Sequence, residues 1–262
     1  MPSSTLPYPA RQSDMEPAPD SDLFNYSPAD KLRDKVALAT GAGSGIGRAV
    51  AISFAMEEAD RAIVYDVNDD DAAEPGRLVG ARGRRGFAIK ADIHNPDACA
   101  SAVRQTVDTL GGLEILVDNA VFQRTQQRFE DIDLDQFRRT QETIVFGTFQ
   151  MTRSALPHLL ACGRIVNTGG IVGMVGSEML VDYRMAKGPI HCFTKAFALS
   201  LAPGKPKSMP LRRGPFGLRT SPAPCRSRRS SDSATRWPSA RPGSRRNVPR
   251  PTSIWRRATA AS

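Results

Sequence analysis

Tyr183 and Lys187 stand four residues apart in "YRMAK", a spacing that puts both side chains on one face of a helix. An ammonium beside a phenol lowers the phenol pKa, so such a tyrosine can pass a proton near neutral pH. The plain alternative is a surface pair, since this spacing is common on ordinary helices. "TGAGSGIG", Thr40–Gly47, offers a second chemistry. Gly41 permits a tight turn, Gly45 lets the backbone approach a pyrophosphate, and Gly47 allows close packing of helix on sheet. A helix opening there presents free N–H groups to an anion. Asp66 lies 19 residues past Gly47. A carboxylate there can bond the adenosine ribose hydroxyls and repels a 2′-phosphate, favouring NAD over NADP. Nothing basic stands at Ser44 to welcome that phosphate, although Asp69, Asp70 and Asp71 nearby leave a solvated carboxylate as the alternative.

These residues need a scaffold, and the pattern around them supplies one. "KVALAT" (Lys35–Thr40) is a short apolar run before the glycines, and "GIGRAVAISFAMEEA" after them has helical spacing. "RAIVYD" reads as a strand, Asp69–Gly83 as a helix with a glycine stop, "GFAIKAD" as a third strand and "NPDACASAVRQTVDTLGG" as a helix with Pro96 near its start. "LEILVDNA" is a fourth strand, Leu134–Leu160 one long helix, "GRIVNTGG" a fifth strand, and Tyr183–Ala202 a closing helix. Strands alternating with helices of this length predict an α/β fold, a parallel sheet covered on both faces.

A chain of 262 residues can bury one large core. Residues 1–34, rich in Pro, Asp and Ser, read as an extended arm, 35–203 as the dinucleotide-binding domain and 204–262 as a basic tail. No apolar run is long enough to span a membrane and the N-terminus has no signal pattern, which predicts a cytoplasmic protein that does not associate with membranes. Cys99, Cys162, Cys192 and Cys225 are widely spaced, predicting free thiols and no metal site. The net charge of +9 is unevenly placed. Residues 204–262 hold 13 Arg, 2 Lys and one acid, Asp232, a net +14, while the preceding residues hold 21 basic and 26 acidic side chains, a net −5.

The three motifs in this order, with "DNA" after the fourth strand, resemble the classical short-chain dehydrogenase/reductase family over Lys31–Pro203. The arm "YPARQSDMEPAPDSDL" is similar to the N-terminal extension of one bacterial subgroup of NAD(P)-dependent reductases and dehydrogenases of small carbonyls and alcohols. The resemblance implies a Rossmann-type doubly wound sheet. It implies a cofactor turn at Thr40, Gly41, Ser44, Gly45, Ile46 and Gly47, with Asp66 on the ribose, Asp92 at the adenine, and Asn119 and Ala120 along the cofactor. It further implies Tyr183 as acid/base, Lys187 on the nicotinamide ribose, a small carbonyl or alcohol as substrate, and a homotetramer. Four positions depart from the family pattern. Gly170 stands where the family has a serine that bonds the substrate oxygen, and Ile144 where it has an asparagine holding a water beside the lysine. Asp118 replaces an asparagine, and Arg61 an apolar strand residue. Losing an oriented donor costs about 10²–10³ in rate, so the cofactor site reads as intact and the chemistry as impaired. A non-catalytic dinucleotide-binding protein remains the alternative.

The tail carries none of the family's later elements. Ser208–Arg219, written in permitted codons and read from the third base, gives Asn-Ala-Val-Ala-Pro-Gly-Pro-Val-Arg-Thr-Pro, which resembles the family's sixth strand and its Pro-Gly turn. The same shift over Gly243–Ala261 gives a sequence similar to a later family helix. The tail therefore reads as frameshifted, with the sheet truncated after the fifth strand. Trp237 and Trp255 among arginines also suit a nucleic-acid arm. No motif places the arginines on one face, so the expectation is salt-dependent attraction without sequence-specific nucleic-acid recognition.

Overall fold

A strand covered by helices on both faces must be apolar along its length, and β1 (Val36–Thr40) is buried at all five residues. The structure, a computed structural model, describes residues 23, 25–67, 69, 83–160, 162–175 and 179–201. The sixth-strand and frameshift readings, the basic tail, the Asp69–Gly83 helix apart from its two ends, and most of the arm lie outside the described residues. β2 (Asp60–Tyr65), β3 (Gly86–Lys90), β4 (Ile115–Asp118) and β5 (Arg164–Asn167) join β1 in one parallel sheet of order β3-β2-β1-β4-β5. The chain builds outward from β1 to β3 and then returns to β1's other side at β4. That reversal opens a crevice beyond the carboxyl ends of β1 and β4, the place where open sheets of this kind take ligands.

Each face of the sheet has its own core. α1 (Gly45–Met56) covers the face bearing Ala37, Ala39, Ile63, Ile115 and Val117. α2 (Pro96–Leu110) and α4 (Gly147–Ala155) cover the face bearing Leu38, Val64, Ile89 and Leu116, meeting it with Val103 and Met151. α2 starts where the sequence placed it. Asn95 Oδ1 caps the N–H groups of Asp97 and Ala98 at 2.9 and 3.3 Å, with Pro96 in the first turn.

The expected single helix over Leu134–Leu160 is interrupted. α3 (Leu134–Gln141) passes into a π turn, Glu142–Phe146, before α4 begins, and a 3₁₀ turn at Leu156–His158 ends the run. Where α4 begins, a Cβ on Gly147 would lie 2.5 Å from Ile93 Cδ1, so a larger residue there needs the Ile93 side chain to move. α5 (Val181–Ser200) is the last described helix. No described helix is long and apolar enough to cross a membrane.

Arg61 sits fully buried in the middle of the sheet, which explains how a strand tolerates it. Its Nε donates to the Ala51 carbonyl of α1 at 2.7 Å, and burial pushes the guanidinium down to about 10. Among the cysteines, Cys99 is a buried free thiol and Cys192 an exposed one. Cys162 departs from the expectation, being disulfide-bonded, a pairing its spacing does not announce. At the far end of α1, the described part of the arm meets Glu57. The Tyr26 hydroxyl, the main-chain N–H groups of Ala29 and Lys31 at 3.2 and 2.7 Å, and Lys31 Nζ at 3.2 Å all donate to its carboxylate. The Tyr26 bond, more than the others, holds Glu57 down to about 2.

Candidate functional site

The crevice is a cleft of ≈ 360 Å³. Gly41, Ser44, Gly45 and Ile46 line it from the turn after β1, Asp66 from the end of β2, and Asp92 from the end of β3. Asn119 and Ala120 enter from the end of β4, and Tyr183 and Lys187 from α5. Residues spread over 147 positions thus meet in one place. Thr40 and Gly47, also expected at the cofactor, do not line the cleft but support its floor. The Thr40 hydroxyl accepts the main-chain N–H groups of Asn119 and Ala120 at 3.0 and 3.1 Å, which ties the end of β4 to the end of β1. Gly47 packs so tightly that a Cβ there would lie 2.3 Å from the Gly41 carbonyl and 2.6 Å from Asn119 Nδ2.

α1 opens at Ser44, whose hydroxyl makes no capping bond; a helix N-terminus turns N–H groups toward an anion placed before it. At Gly45, with φ +52°, nothing lies within 4 Å of where a Cβ would stand. This open cradle, beside a helix start and below Asp66, fits a dinucleotide pyrophosphate.

A relay of polar contacts runs from the turn to the α5 pair. Asn119 Nδ2 donates to the Gly41 carbonyl at 3.1 Å, the Thr168 hydroxyl donates to Asn119 Oδ1 at 3.3 Å, and Lys187 Nζ donates to the Thr168 carbonyl at 2.6 Å. Lys187 is 3% exposed, and burial pushes it down to about 8. Its Nζ is 5.7 Å from the Tyr183 ring centroid. The expected lowering of Tyr183 by this lysine is overturned: burial pushes the phenol above its ordinary value.

Two of the positions that depart from the family pattern carry no polar side chain. Ile144, in the π turn, is buried against Ala186, Ile190 and Tyr183. Gly170 holds φ +122°, a conformation that side-chain-bearing residues rarely adopt, and its carbonyl lies 2.9 Å from His191 Nε2. Beneath the cleft, the fully buried Asp118 accepts from the Thr152 hydroxyl at 3.0 Å through Oδ2, while Oδ1 has no partner. Burial pushes this carboxyl up to about 8.

Sequence reasoning missed several lining residues. His94, Phe122, Arg139, Thr143 and Thr168 all face the cleft. Arg139 lies over the Phe122 ring at 4.7 Å, a contact between residues no local pattern connects. Only Thr168, one residue past β5, sat where a strand end signals a site.

Residues 35–206 match the family described as short chain dehydrogenase. General stress protein 39 of Bacillus subtilis is 41% identical over 193 residues, covering 74% of this chain and 68% of that protein. Glucose and ribitol dehydrogenase of Daucus carota is 37% identical, covering 74% and 68%. A short chain dehydrogenase from Burkholderia cenocepacia, crystallised in complex with NADP, superposes with a TM-score of 0.63 at 34% identity, over 65% of this chain and 69% of that one.

Proposed function

The chain belongs to the short-chain dehydrogenase/reductase family of NAD(P)-dependent oxidoreductases, and from that premise we propose that it interconverts a small carbonyl compound and its alcohol, slowly, with NAD as the preferred cofactor. The observation that carries this reading is the convergence of the glycine turn, Asp66 and the Tyr183–Lys187 pair on one cleft. The turn and the start of α1 would hold the pyrophosphate, Asp66 the adenosine ribose, and Asn119, Ala120 and Lys187 the remainder. The cofactor, when bound, supplies or accepts the hydride.

The protein's share is the proton. Tyr183 donates it to the carbonyl oxygen in reduction and takes it from the alcohol in oxidation. Burial raises Tyr183 above its ordinary value, which works against deprotonation of the phenol and so against its taking the proton from the alcohol. Gly170 offers no hydroxyl to the reacting oxygen, a loss of about 10²–10³ in rate.

Asp66 lines the cleft directly after β2, and its charge opposes a 2′-phosphate. Asp66→Ala is expected to shift the NAD:NADP affinity ratio about tenfold toward NADP. Tighter NADP than NAD binding by the unmodified chain would reject the preference. The activity itself is tested by aldehyde-dependent NADH oxidation over a panel of small aldehydes. Tyr183→Phe is expected to remove turnover and to leave NADH affinity within about threefold. Ile144 and Gly170 favour a second reading, dinucleotide binding without turnover. NADH binding with no turnover on any aldehyde decides for it.

A further inference from the structure

The cleft has a direction. Tyr183 and Lys187 mark one end, the glycine turn lies between, and Asp66 marks the other end, so the adenine ring of a bound dinucleotide lies beyond Asp66 against the tip of β3. Three residues gather there. The main-chain N–H of His94 donates to Asp92 Oδ1 at 2.9 Å, and the ring Nδ1 of His94 stands 3.1 Å from the same oxygen. On the ring's other side, Nε2 is 2.9 Å from the Thr143 hydroxyl. A neutral imidazole that donates through Nδ1–H to Asp92 accepts at Nε2, so the Thr143 hydroxyl, which also lies 2.8 Å from the Arg139 carbonyl, turns its one proton to Nε2. The imidazole bridges the tip of β3 and the π turn, 49 residues away in sequence.

We propose that His94 positions the adenine end of the cofactor, holding Asp92 Oδ1 so that Oδ2 accepts a hydrogen bond from the 6-amino group of the base. The inference rests on the dinucleotide reading of the cleft. His94 acts through Asp92 and is a positioning residue. The ring is fixed at both edges, so it limits the rotation of the carboxylate that a free aspartate at a strand end would have. A carboxylate oxygen accepts only. It recognises a 6-amino group and meets a 6-oxo group with lone pair against lone pair. The Asp92 side chain is 53% exposed and that of His94 30%, so water softens the penalty and the discrimination is set by one charge-assisted bond, about tenfold.

Nicotinamide hypoxanthine dinucleotide differs from NAD at this amino group and serves as the probe. Dissociation constants for both dinucleotides are measured by titration calorimetry on the full chain. The unmodified protein is expected to prefer NAD about tenfold. His94→Ala is expected to bring the two affinities within about twofold, chiefly by weakening NAD. Thr143→Val, which removes the hydroxyl donor to Nε2 and keeps the imidazole, is expected to give an intermediate ratio and stands in if His94→Ala does not fold. Equal weakening of both dinucleotides, as a merely structural role would produce, overturns the proposal, as does an unchanged ratio in a folded variant. Binding of both dinucleotides without preference by the unmodified chain overturns the Asp92–His94 assignment alone. Binding of neither overturns the dinucleotide reading and this inference with it.

Discussion

The two ends of the cleft are built to different standards. At the glycine-turn end, Thr40, Asn119, Thr168 and the Gly41 carbonyl form a connected set of hydrogen bonds, and Gly47 packs to the limit of backbone contact. At the Tyr183 end, the neighbouring positions are a buried isoleucine and a glycine at φ +122°. The difference teaches that binding and chemistry separate physically within one site. Binding depends on backbone shape, and the sheet's return at β4 enforces that shape. Proton transfer and carbonyl polarisation depend on single side-chain atoms, which substitution removes without disturbing the core.

The contrast can be broken hardest at Gly47. A Cβ at that position meets the Gly41 carbonyl and Asn119 at distances no packed atom tolerates. Gly47→Ala is expected to weaken NADH binding by up to about a hundredfold, with a loss of thermal stability, since the added Cβ must displace the Gly41 backbone. Calorimetric titration beside a melting curve checks it, and near-normal affinity would mean that the turn is not the binding element. Gly170→Ser probes the other end. It is expected to raise aldehyde reduction by about a hundredfold. It should also lower the melting temperature, because serine at φ +122° is strained by about 1–3 kcal/mol. A stable variant with no gain would show that the backbone here does not present the residue to substrate.

Asp118, below the cleft floor, gives a smaller and pH-dependent effect. Its folded pKa, about 8, is raised above the ordinary carboxylate value by burial. The folded state therefore holds a proton that the unfolded chain releases near pH 4. Stability is fully present below that value and is lost as pH rises toward about 8. Asp118→Asn removes the titration. The variant is expected to match the parent near pH 4 and to exceed it by a margin that grows as pH rises to about 8 and then levels off, measured by denaturant melts. Parallel curves for the two proteins would refute this.

Much of the fold was legible because buried parallel strands announce themselves. "VALAT" and "RAIVY" could be read as strands from apolar content alone, and Asn95-Pro96 marks a helix start by its own chemistry. The π turn was not legible, since one extra residue in a helical turn leaves the apolar stripe almost unchanged. Arg61 looked out of place in a strand, and only the position of the Ala51 carbonyl shows how its burial is tolerated. The glycine turn, Asp66 and the Tyr183–Lys187 pair were legible as local motifs. The direction of the Tyr183 shift was not, because it depends on how deeply the fold buries the phenol. The contacts of His94 with Thr143 and of Arg139 with Phe122 join distant segments and have no local signature.

The carboxylate of Glu57 has a mechanical consequence. α1 is a rod of 12 residues, about 18 Å long, whose leading end faces the cleft and whose trailing end runs into Glu57. Four donors from Tyr26, Ala29 and Lys31 fasten that trailing end. A rod held at one end only can tilt like a lever, and a small slip at its tail swings its tip by a comparable distance. Fastening the tail turns α1 into a beam supported at both ends, so its leading N–H groups keep their aim through thermal motion. Tyr26, Ala29 and Lys31 thereby brace the end of α1 opposite the cleft.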